Sequence, residues 1–206
     1  MVSVSRTIRA VLSIESKFLN YLEKEAWTRA YFFAVFSMLV FIPFVLLQIP
    51  FMLNVMSIPK ITAILFIPFY LISIGVQAFI TPFVNSAIIH LGILVFGGRQ
   101  GYLATLKPVS YSFVIRAFYG IIAMVLSLGI FLFMENMVVT IAISILLVIL
   151  ALASLIHYLV FLIKGISQLQ NITKLRAFLG IIFVPLAVIL LVGFFILSIL
   201  LISTIF

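Results

Sequence analysis

The sequence predicts an all-α membrane protein, a polytopic helical bundle with five transmembrane helices and an N-terminal amphipathic interfacial helix. Two features of its composition support this prediction. The chain is 67% hydrophobic and 8% charged, whereas about 25% of the residues of an average soluble protein are charged. No Asp, Glu, Lys or Arg lies between Lys60 and Arg99, and none follows Arg176. Such stretches are typical of membrane segments, because a charge at the bilayer centre costs about 3 kcal/mol or more.

The first 29 residues predict an amphipathic helix that does not span the membrane. Apolar residues such as Val11 and Leu22 fall on one face at helical spacing, and Arg9 and Lys17 fall on the other. The segment is too charged to cross a bilayer, and an apolar face backed by charges favours the headgroup plane. A soluble helix that binds a partner is the alternative left open. We therefore assign residues 1–29 to a helix at the cytoplasmic face of the membrane.

Residues 30–206 form the predicted five-span membrane domain. Four of its apolar runs are close to the roughly 20 residues that a spanning helix needs. The second run is longer, and at about 1.5 Å per residue it would reach roughly 54 Å. It is either one bent span or two spans separated near Pro82. The five spans are predicted at about residues 30–53, 61–96, 109–133, 137–163 and 177–206.

The distribution of basic residues favours one bent span for the second run. With five spans and a cytoplasmic N-terminus, Lys60 is the only Lys or Arg outside, and every other one lies inside or just within the third span. A split near Pro82 would move Arg99, Lys107 and the later basic loop residues outside. The sequence therefore predicts a kink at Pro82, because proline removes a helix hydrogen bond and clashes with the preceding turn.

Several functional classes are excluded by composition and motifs. The chain has no Cys, so a thiolate metal site and a thiol nucleophile are excluded. His90 and His157 have no acidic residue in the predicted spans to join them in a metal or proton site, and no Gly-x-Ser-x-Gly elbow is present. We expect no enzyme activity and no cofactor. The net charge of +8 is spread singly through the loops, so we expect anionic lipid headgroups as partners and no nucleic acid.

Two stretches of the sequence resemble the signature of a known family. Residues 90–113 read HLGILVFGGRQGYLATLKPVSYSF, with a double glycine, a short basic loop and a Tyr-Ser pair that opens the third span. Residues 163–185 read IKGISQLQNITKLRAFLGIIFVP, with Gly165 near the end of the fourth span and Arg176-Ala177 in the loop. These stretches resemble the Yip family of Rab-GTPase-interacting membrane proteins. The resemblance extends over about residues 10–195.

This resemblance implies a non-enzymatic membrane organiser or adaptor that acts through its cytoplasmic loops. It also implies homo- or hetero-oligomers with other membrane proteins. The short N-terminal arm is similar to the prokaryotic form of the domain, which implies the plasma membrane; a eukaryotic member would imply the endoplasmic reticulum or Golgi. The alternative function is a small-solute or ion transporter or channel, which would use helices interrupted near Pro43, Pro68 or Pro82.

The candidate functional residues lie on the predicted cytoplasmic face. Gly97 and Gly98 are interpreted as a helix stop, and phosphate binding next to Arg99 is the alternative. Arg116 lies about two turns inside the third span, where it either snorkels to the headgroups or has a function in the membrane. Candidate lipid or partner contacts are Arg99, Lys107, Arg116, Lys164, Lys174 and Arg176. The residues assigned to turns or kinks are Pro82, Gly97, Gly98 and Gly165.

Overall fold

The computed structural model describes residues 4–43, 46, 60–133 and 135–205, and the regular secondary structure of this part of the chain is α-helical. The predicted all-α class is confirmed for these residues. The helices are α1 (Val4–Leu12), α2 (Ser16–Lys24), α3 (Trp27–Leu39), α4 (Lys60–Val95), α5 (Leu103–Leu132), α6 (Met137–Leu169) and α7 (Lys174–Ile205).

Four segments among the described residues are long and apolar enough to cross a bilayer. They are Ile67–Val95, Leu103–Ile130, Met137–Leu169 and Lys174–Leu191, and each overlaps one of the second to fifth predicted spans. The first predicted span, residues 30–53, begins within α3, and its residues 44, 45 and 47–53 lie outside the described residues. The count of five spans therefore stays a prediction.

The long second run forms one helix. α4 continues for 36 residues with Pro68 and Pro82 inside it, so the chain does not divide into two helices near Pro82. Ser86 Oγ donates a hydrogen bond of 2.6 Å to the Pro82 carbonyl oxygen. This bond provides the buried Ser86 hydroxyl with a partner one turn from its own backbone.

The N-terminal segment differs from the single helix predicted over residues 1–29. It forms two helices, α1 and α2, and α3 already begins at Trp27. The turn between α1 and α2 places Ile14 at a φ of 50°. The amides of Ile14 and Glu15 donate to the carbonyls of Val11 and Ala10 at 3.3 and 3.2 Å. β-branched residues rarely adopt a positive φ. Neither the residue type at position 14 nor the apolar periodicity around it therefore indicated a turn.

The apolar face of the α1–α2 arm packs against the helical bundle. Val11 and Leu22 are fully buried in a cluster with Tyr111 and Ile115 of α5 and Phe161 of α6. The sequence predicted that this apolar face contacts lipid in the headgroup plane. In the structure, side chains of α5 and α6 cover it instead. The arm is therefore a packed layer of the domain, and contact of its other face with a membrane stays a prediction.

α5 is the central helix of the bundle. It packs against α3, α4 and α6, and α7 packs against α4 and α6. Every residue of α5 from Pro108 to Ile115 is buried. α4 and α7 are in close contact at Gly92 and Gly180, where a Cβ on Gly92 would lie 2.0 Å from the Gly180 carbonyl oxygen. Small residues allow helices in membranes to pack this closely.

Gly165 does not end the fourth long helix, although the sequence assigned it to a turn. α6 continues for another turn to Leu169. Gly165 is buried, and a Cβ there would lie 2.8 Å from the Pro108 side chain. The glycine therefore provides space for α5 to pack on α6, which depends on tertiary pairing and is not visible in the local sequence.

Candidate functional site

Three segments that are distant in sequence lie together at one end of the bundle. They are the α1–α2 arm, the α4–α5 loop (residues 96–102) and the α6–α7 loop (residues 170–173), and we call this end the loop face. Gln168 of α6 donates to Asn20 Oδ1 of α2, which joins the arm to the α6–α7 loop region. The candidate residues that belong to the loop face or lie within two helical turns of it are Arg99, Lys107, Lys164, Lys174 and Arg176.

The double glycine ends α4 in a hydrogen-bonded turn. Gly97 has a φ of 94°, and its amide donates to the Leu94 carbonyl at 3.2 Å. The Gly98 amide donates to the Ile93 carbonyl at 2.9 Å. This pair of bonds is the Schellman motif, in which a left-handed residue satisfies the last helix carbonyls. Both glycine positions are therefore accounted for by the end of a helix, without a bound phosphate.

The loop between α6 and α7 begins with the same motif. Asn171 has a φ of 52°, and its amide approaches the Gln168 carbonyl at 3.4 Å. The Ile172 amide donates to the Ser167 carbonyl at 3.1 Å. Asn tolerates the left-handed conformation better than most residues with a side chain. The two loops thus reverse the chain in the same way, next to each other.

Gln170 joins the two loops and is a residue that the sequence analysis missed. Its side chain is 2% exposed. Its Oε1 accepts from the Gln100 amide at 3.0 Å, and its Nε2 donates to the Gly101 carbonyl and to Thr105 Oγ1, each at 3.0 Å. A buried amide with its donors and acceptor paired holds its neighbours in one geometry. The α4–α5 loop is therefore fixed by a side chain about 70 residues away.

His90 extends this network into α4. Its Nδ1 lies 2.9 Å from Thr105 Oγ1. The Thr105 oxygen also accepts from Gln170. Its hydroxyl donates to His90 Nδ1 in the tautomer that carries the ring hydrogen on Nε2, and accepts from it in the other. This is a structural role for His90. Among the described residues no group of three or more His, Cys, Asp or Glu side chains lies close enough to hold a metal ion.

Tyr102 anchors the α4–α5 loop against the side of α4. Its hydroxyl donates to the Phe83 carbonyl at 2.8 Å, and its ring meets the His90 ring edge-on at 5.7 Å between centroids. Burial raises the pKa of Tyr102, so the hydroxyl keeps the proton that it donates.

Lys107 fastens the N-terminal arm to α5. Its Nζ donates to the carbonyls of Leu22 and Glu23, both at 3.0 Å. These carbonyls lie at the C-terminal end of α2, where a cation also interacts favourably with the helix dipole. The sequence proposed a lipid or partner contact for Lys107, and the structure gives it a contact within the chain.

A buried carboxylate fixes the connection from α2 to α3. Glu25 is 6% exposed, and Tyr111 of α5 donates to its Oε2 at 2.6 Å. Arg29 Nε lies 3.2 Å from Glu25 Oε1, and Arg29 Nη1 donates to Tyr21 at 3.1 Å. Pairing of the buried charge is essential, since an unpaired one would be strongly destabilising. Like Gln170, Glu25 is a residue of the candidate site that the sequence did not indicate.

The remaining basic candidates are accessible on the loop face. The side chains of Arg99, Lys174 and Arg176 are exposed, and that of Lys164 is partly exposed. Arg176 Nη1 lies close to the α4–α5 loop, 3.6 Å from where a Cβ on Gly97 would be. Arg116 is separate from this group, because it lies further along α5 with its guanidinium over the Tyr158 ring.

Comparison with known protein families identifies the domain. The family model of the Yip1 domain matches residues 9–197. The chain belongs to the Yip1 domain family. The match includes most of the α1–α2 arm as well as the long helices, so in this family the domain extends to the arm that Lys107 and Glu25 hold in place. No curated protein and no solved structure matches the chain.

Proposed function

We propose that this Yip1-domain protein is a non-enzymatic membrane organiser or adaptor that acts through its loop face. The observation that carries the proposal is the Gln170 network, which joins two loops into one surface. Lys107 adds the N-terminal arm to the same surface. A surface that is already ordered loses little conformational entropy when it binds, so it is suited to recognition.

Charge defines what the loop face can recognise. Arg99, Lys174 and Arg176 are exposed there, and among the described residues the loop face has no exposed acidic side chains apart from those of the arm. Clustered cations next to a membrane attract anionic headgroups and acidic protein segments. We therefore propose anionic lipids of the cytoplasmic leaflet as partners. Other membrane proteins, including further copies of this chain, would bind at the same face or along the exposed apolar helices.

The proposed topology has five spans, with the loop face and the N-terminus in the cytoplasm. The arm and the C-terminal end of α4 lie on the same face, so the chain must leave that face and return between them. α3 begins next to the arm and is the segment that would leave. The turn at Glu135, between α5 and α6, lies at the opposite end of these helices. We propose the plasma membrane of a prokaryote as the location, with the endoplasmic reticulum or Golgi as the eukaryotic alternative.

Single cysteines test this topology, because the natural chain has none. Gln100→Cys on the loop face should be protected from an impermeant thiol reagent in intact cells and react after lysis. Glu135→Cys should react in intact cells; it is preferable to a change at Asn136, whose side chain caps α6 by accepting from the Val139 amide. Labelling of Gln100→Cys in intact cells would overturn the orientation.

The adaptor role is tested by removing charge from the loop face. The triple variant Arg99→Gln, Lys174→Gln, Arg176→Gln should fold normally, because these side chains are exposed. After cross-linking in native membranes, it should lose partners that the natural chain retains. Glu135→Gln is the matched control, since it changes charge at the opposite end. A triple variant that keeps every partner kept by the control would contradict the proposal.

A transporter is the other function that the sequence left open. α4 is continuous through Pro68 and Pro82, whereas many transporters bind solutes at interrupted helices. The helices α4 to α7 also contain no Asp or Glu, the residues that commonly couple ion or proton movement. Solute or ion flux into liposomes that contain the purified protein would favour transport over the adaptor role.

A further inference from the structure

A cleft of about 480 Å³ opens on the side of the bundle, between α4, α5, α6 and α7. Its polar lining consists of Asn85, Arg116 and Tyr158. The rest of the wall is aliphatic and includes Ile88, Ile89, Leu159, Ile181, Leu186 and Ile189. All of these residues belong to segments long and apolar enough to cross a bilayer. The cleft therefore opens towards acyl chains.

Arg116 contributes an uncompensated positive charge to this cleft. Among the described residues, no carboxylate lies within ion-pair distance of its guanidinium. The guanidinium carbon lies 4.2 Å from the centroid of the Tyr158 ring and 5.4 Å from that of Phe113. These cation–π contacts orient the guanidinium without neutralising it. A charged arginine among membrane helices is expensive unless an anion or water reaches it.

The long helices of a second copy carry no anion for this cleft. The chain has four acidic residues, Glu15, Glu23, Glu25 and Glu135. Glu15 and Glu23 belong to the arm, Glu25 is buried against Tyr111, and Glu135 lies in the turn at the opposite end of the bundle. No acidic side chain is therefore carried by α4, α5, α6 or α7, where a neighbouring copy would have to meet the cleft.

The depth of Arg116 suits the phosphate of a lipid in the adjacent leaflet. Lys107 marks the loop face, since it contacts the end of α2. Arg116 follows it by nine residues, which is roughly 13.5 Å along α5 at about 1.5 Å per residue. A long arginine side chain can extend back towards the headgroup layer. The aliphatic part of the cleft then lies beside the acyl chains of the same lipid molecule.

We propose that this cleft is a binding site for one anionic phospholipid of the leaflet on the loop-face side. The Arg116 guanidinium binds the phosphate, for which its planar set of donors is suited. An acyl chain lies along the aliphatic wall between α4 and α7. The site is independent of the adaptor role, because none of the exposed loop-face cations lines it.

Lipid retention by the purified full chain tests the proposal. Detergent-solubilised protein is mixed with phosphatidylglycerol or phosphatidylcholine of identical acyl chains, and bound lipid is counted by native mass spectrometry. We expect a preference of about tenfold for phosphatidylglycerol, equivalent to about 1.4 kcal/mol. Arg116→Gln should remove the preference, and Arg116→Lys should keep part of it. The control Lys60→Gln, at the end of α4 opposite the loop face, should leave it unchanged.

Fluorescence quenching tests whether the lipid occupies this cleft. Trp27 is the only tryptophan, so Trp27→Phe combined with Ile189→Trp places one fluorophore at the cleft wall. Brominated phosphatidylglycerol should quench it several-fold more strongly than brominated phosphatidylcholine, and Arg116→Gln should equalise the two. If the two brominated lipids quenched the tryptophan equally in the protein that keeps Arg116, the proposal would be overturned. This result does not depend on whether Arg116→Gln folds. Unchanged phosphatidylglycerol preference in a folded Arg116→Gln variant would also overturn it.

Discussion

The loop-face half of the bundle and the opposite half are built by different means. Near the loop face, α5 is buried without interruption from Pro108 to Ile115, and Gln170, Lys107 and Glu25 join distant segments by polar contacts. Towards the other end, large apolar side chains such as Leu132 (78%) and Val138 (77%) are exposed on the chain. Lipid covers such side chains without specific pairing, whereas the polar contacts of Gln170, Lys107 and Glu25 require it.

The comparison predicts where substitutions matter. A change at a close contact or polar junction near the loop face should destabilise the protein. The same chemical change in the opposite half should have little effect, because lipid acyl chains adapt to a new side chain and a packed protein interior does not.

Two glycines of the same helix give the largest expected difference. Gly92→Ala places a Cβ 2.0 Å from the Gly180 carbonyl oxygen, whereas no atom of the described residues lies within 4 Å of a Cβ at Gly75. Gly92→Ala should force α4 and α7 apart, with a loss of about 3 kcal/mol or more. Gly75→Ala should be neutral or gain up to about 1 kcal/mol from helix propensity. Thermal stability in detergent measures both, and equal effects would remove the distinction between the two halves.

The buried tyrosine of the arm contact gives the next effect. Tyr111→Phe removes the donor to Glu25 Oε2 and should cost about 1.5–3 kcal/mol, as expected for a hydrogen bond to a charged group. Tyr70→Phe, at a 52% exposed position of α4, is the matched control and should change stability little. Limited proteolysis should cut the arm of Tyr111→Phe sooner. An arm that stays protected in this variant would show that apolar packing alone holds it.

The junction between the loops is tested by two glutamines that contact each other. Gln170→Ala removes the acceptor of the Gln100 amide and the donor to the Gly101 carbonyl and Thr105 Oγ1, and it should cost about 1–3 kcal/mol. Gln100→Ala should be nearly neutral, because Gln100 contributes its backbone amide to the contact and its side chain is exposed. Hydrogen exchange of the α4–α5 loop should rise in the first variant and stay constant in the second. Equal exchange would contradict the role given to Gln170.

The sequence predicted the long helices well because the signals for them are local. Continuous apolar runs mark α4 to α7, and a Gly-Gly pair after such a run marks the end of α4 at Gly97. The single helix drawn over residues 1–29 failed at Ile14, since a β-branched residue at a positive φ is held by its surroundings.

The candidate site was less predictable, because its decisive contacts join distant segments. Lys107 was recognised as a basic loop residue, but its partners on α2 are about 85 residues away. Gln170 has no local feature that separates it from other loop residues, because its partners lie in the α4–α5 loop and at the start of α5. Gly165 was assigned to a turn, whereas it provides space for the packing of α5 on α6. The spacing of the basic residues predicted that they lie on one face. It gave no information on which of them, such as Lys107, contact other parts of the chain.

The smallest effect concerns the turn that ends α4, and it compares two positions that both have a positive φ. Gly97 and Asn171 have φ values of 94° and 52°, and both end a helix on the loop face. Gly97→Asn should cost at most about 1 kcal/mol, because Asn tolerates the left-handed region, whereas Gly97→Val should cost about 1–2 kcal/mol. Asn171→Val should show the same penalty. Thermal stability of the purified variants measures the series. If Gly97→Val were as stable as Gly97→Asn, backbone conformation would not explain the glycine, and an additional role for the α4–α5 loop would have to be sought.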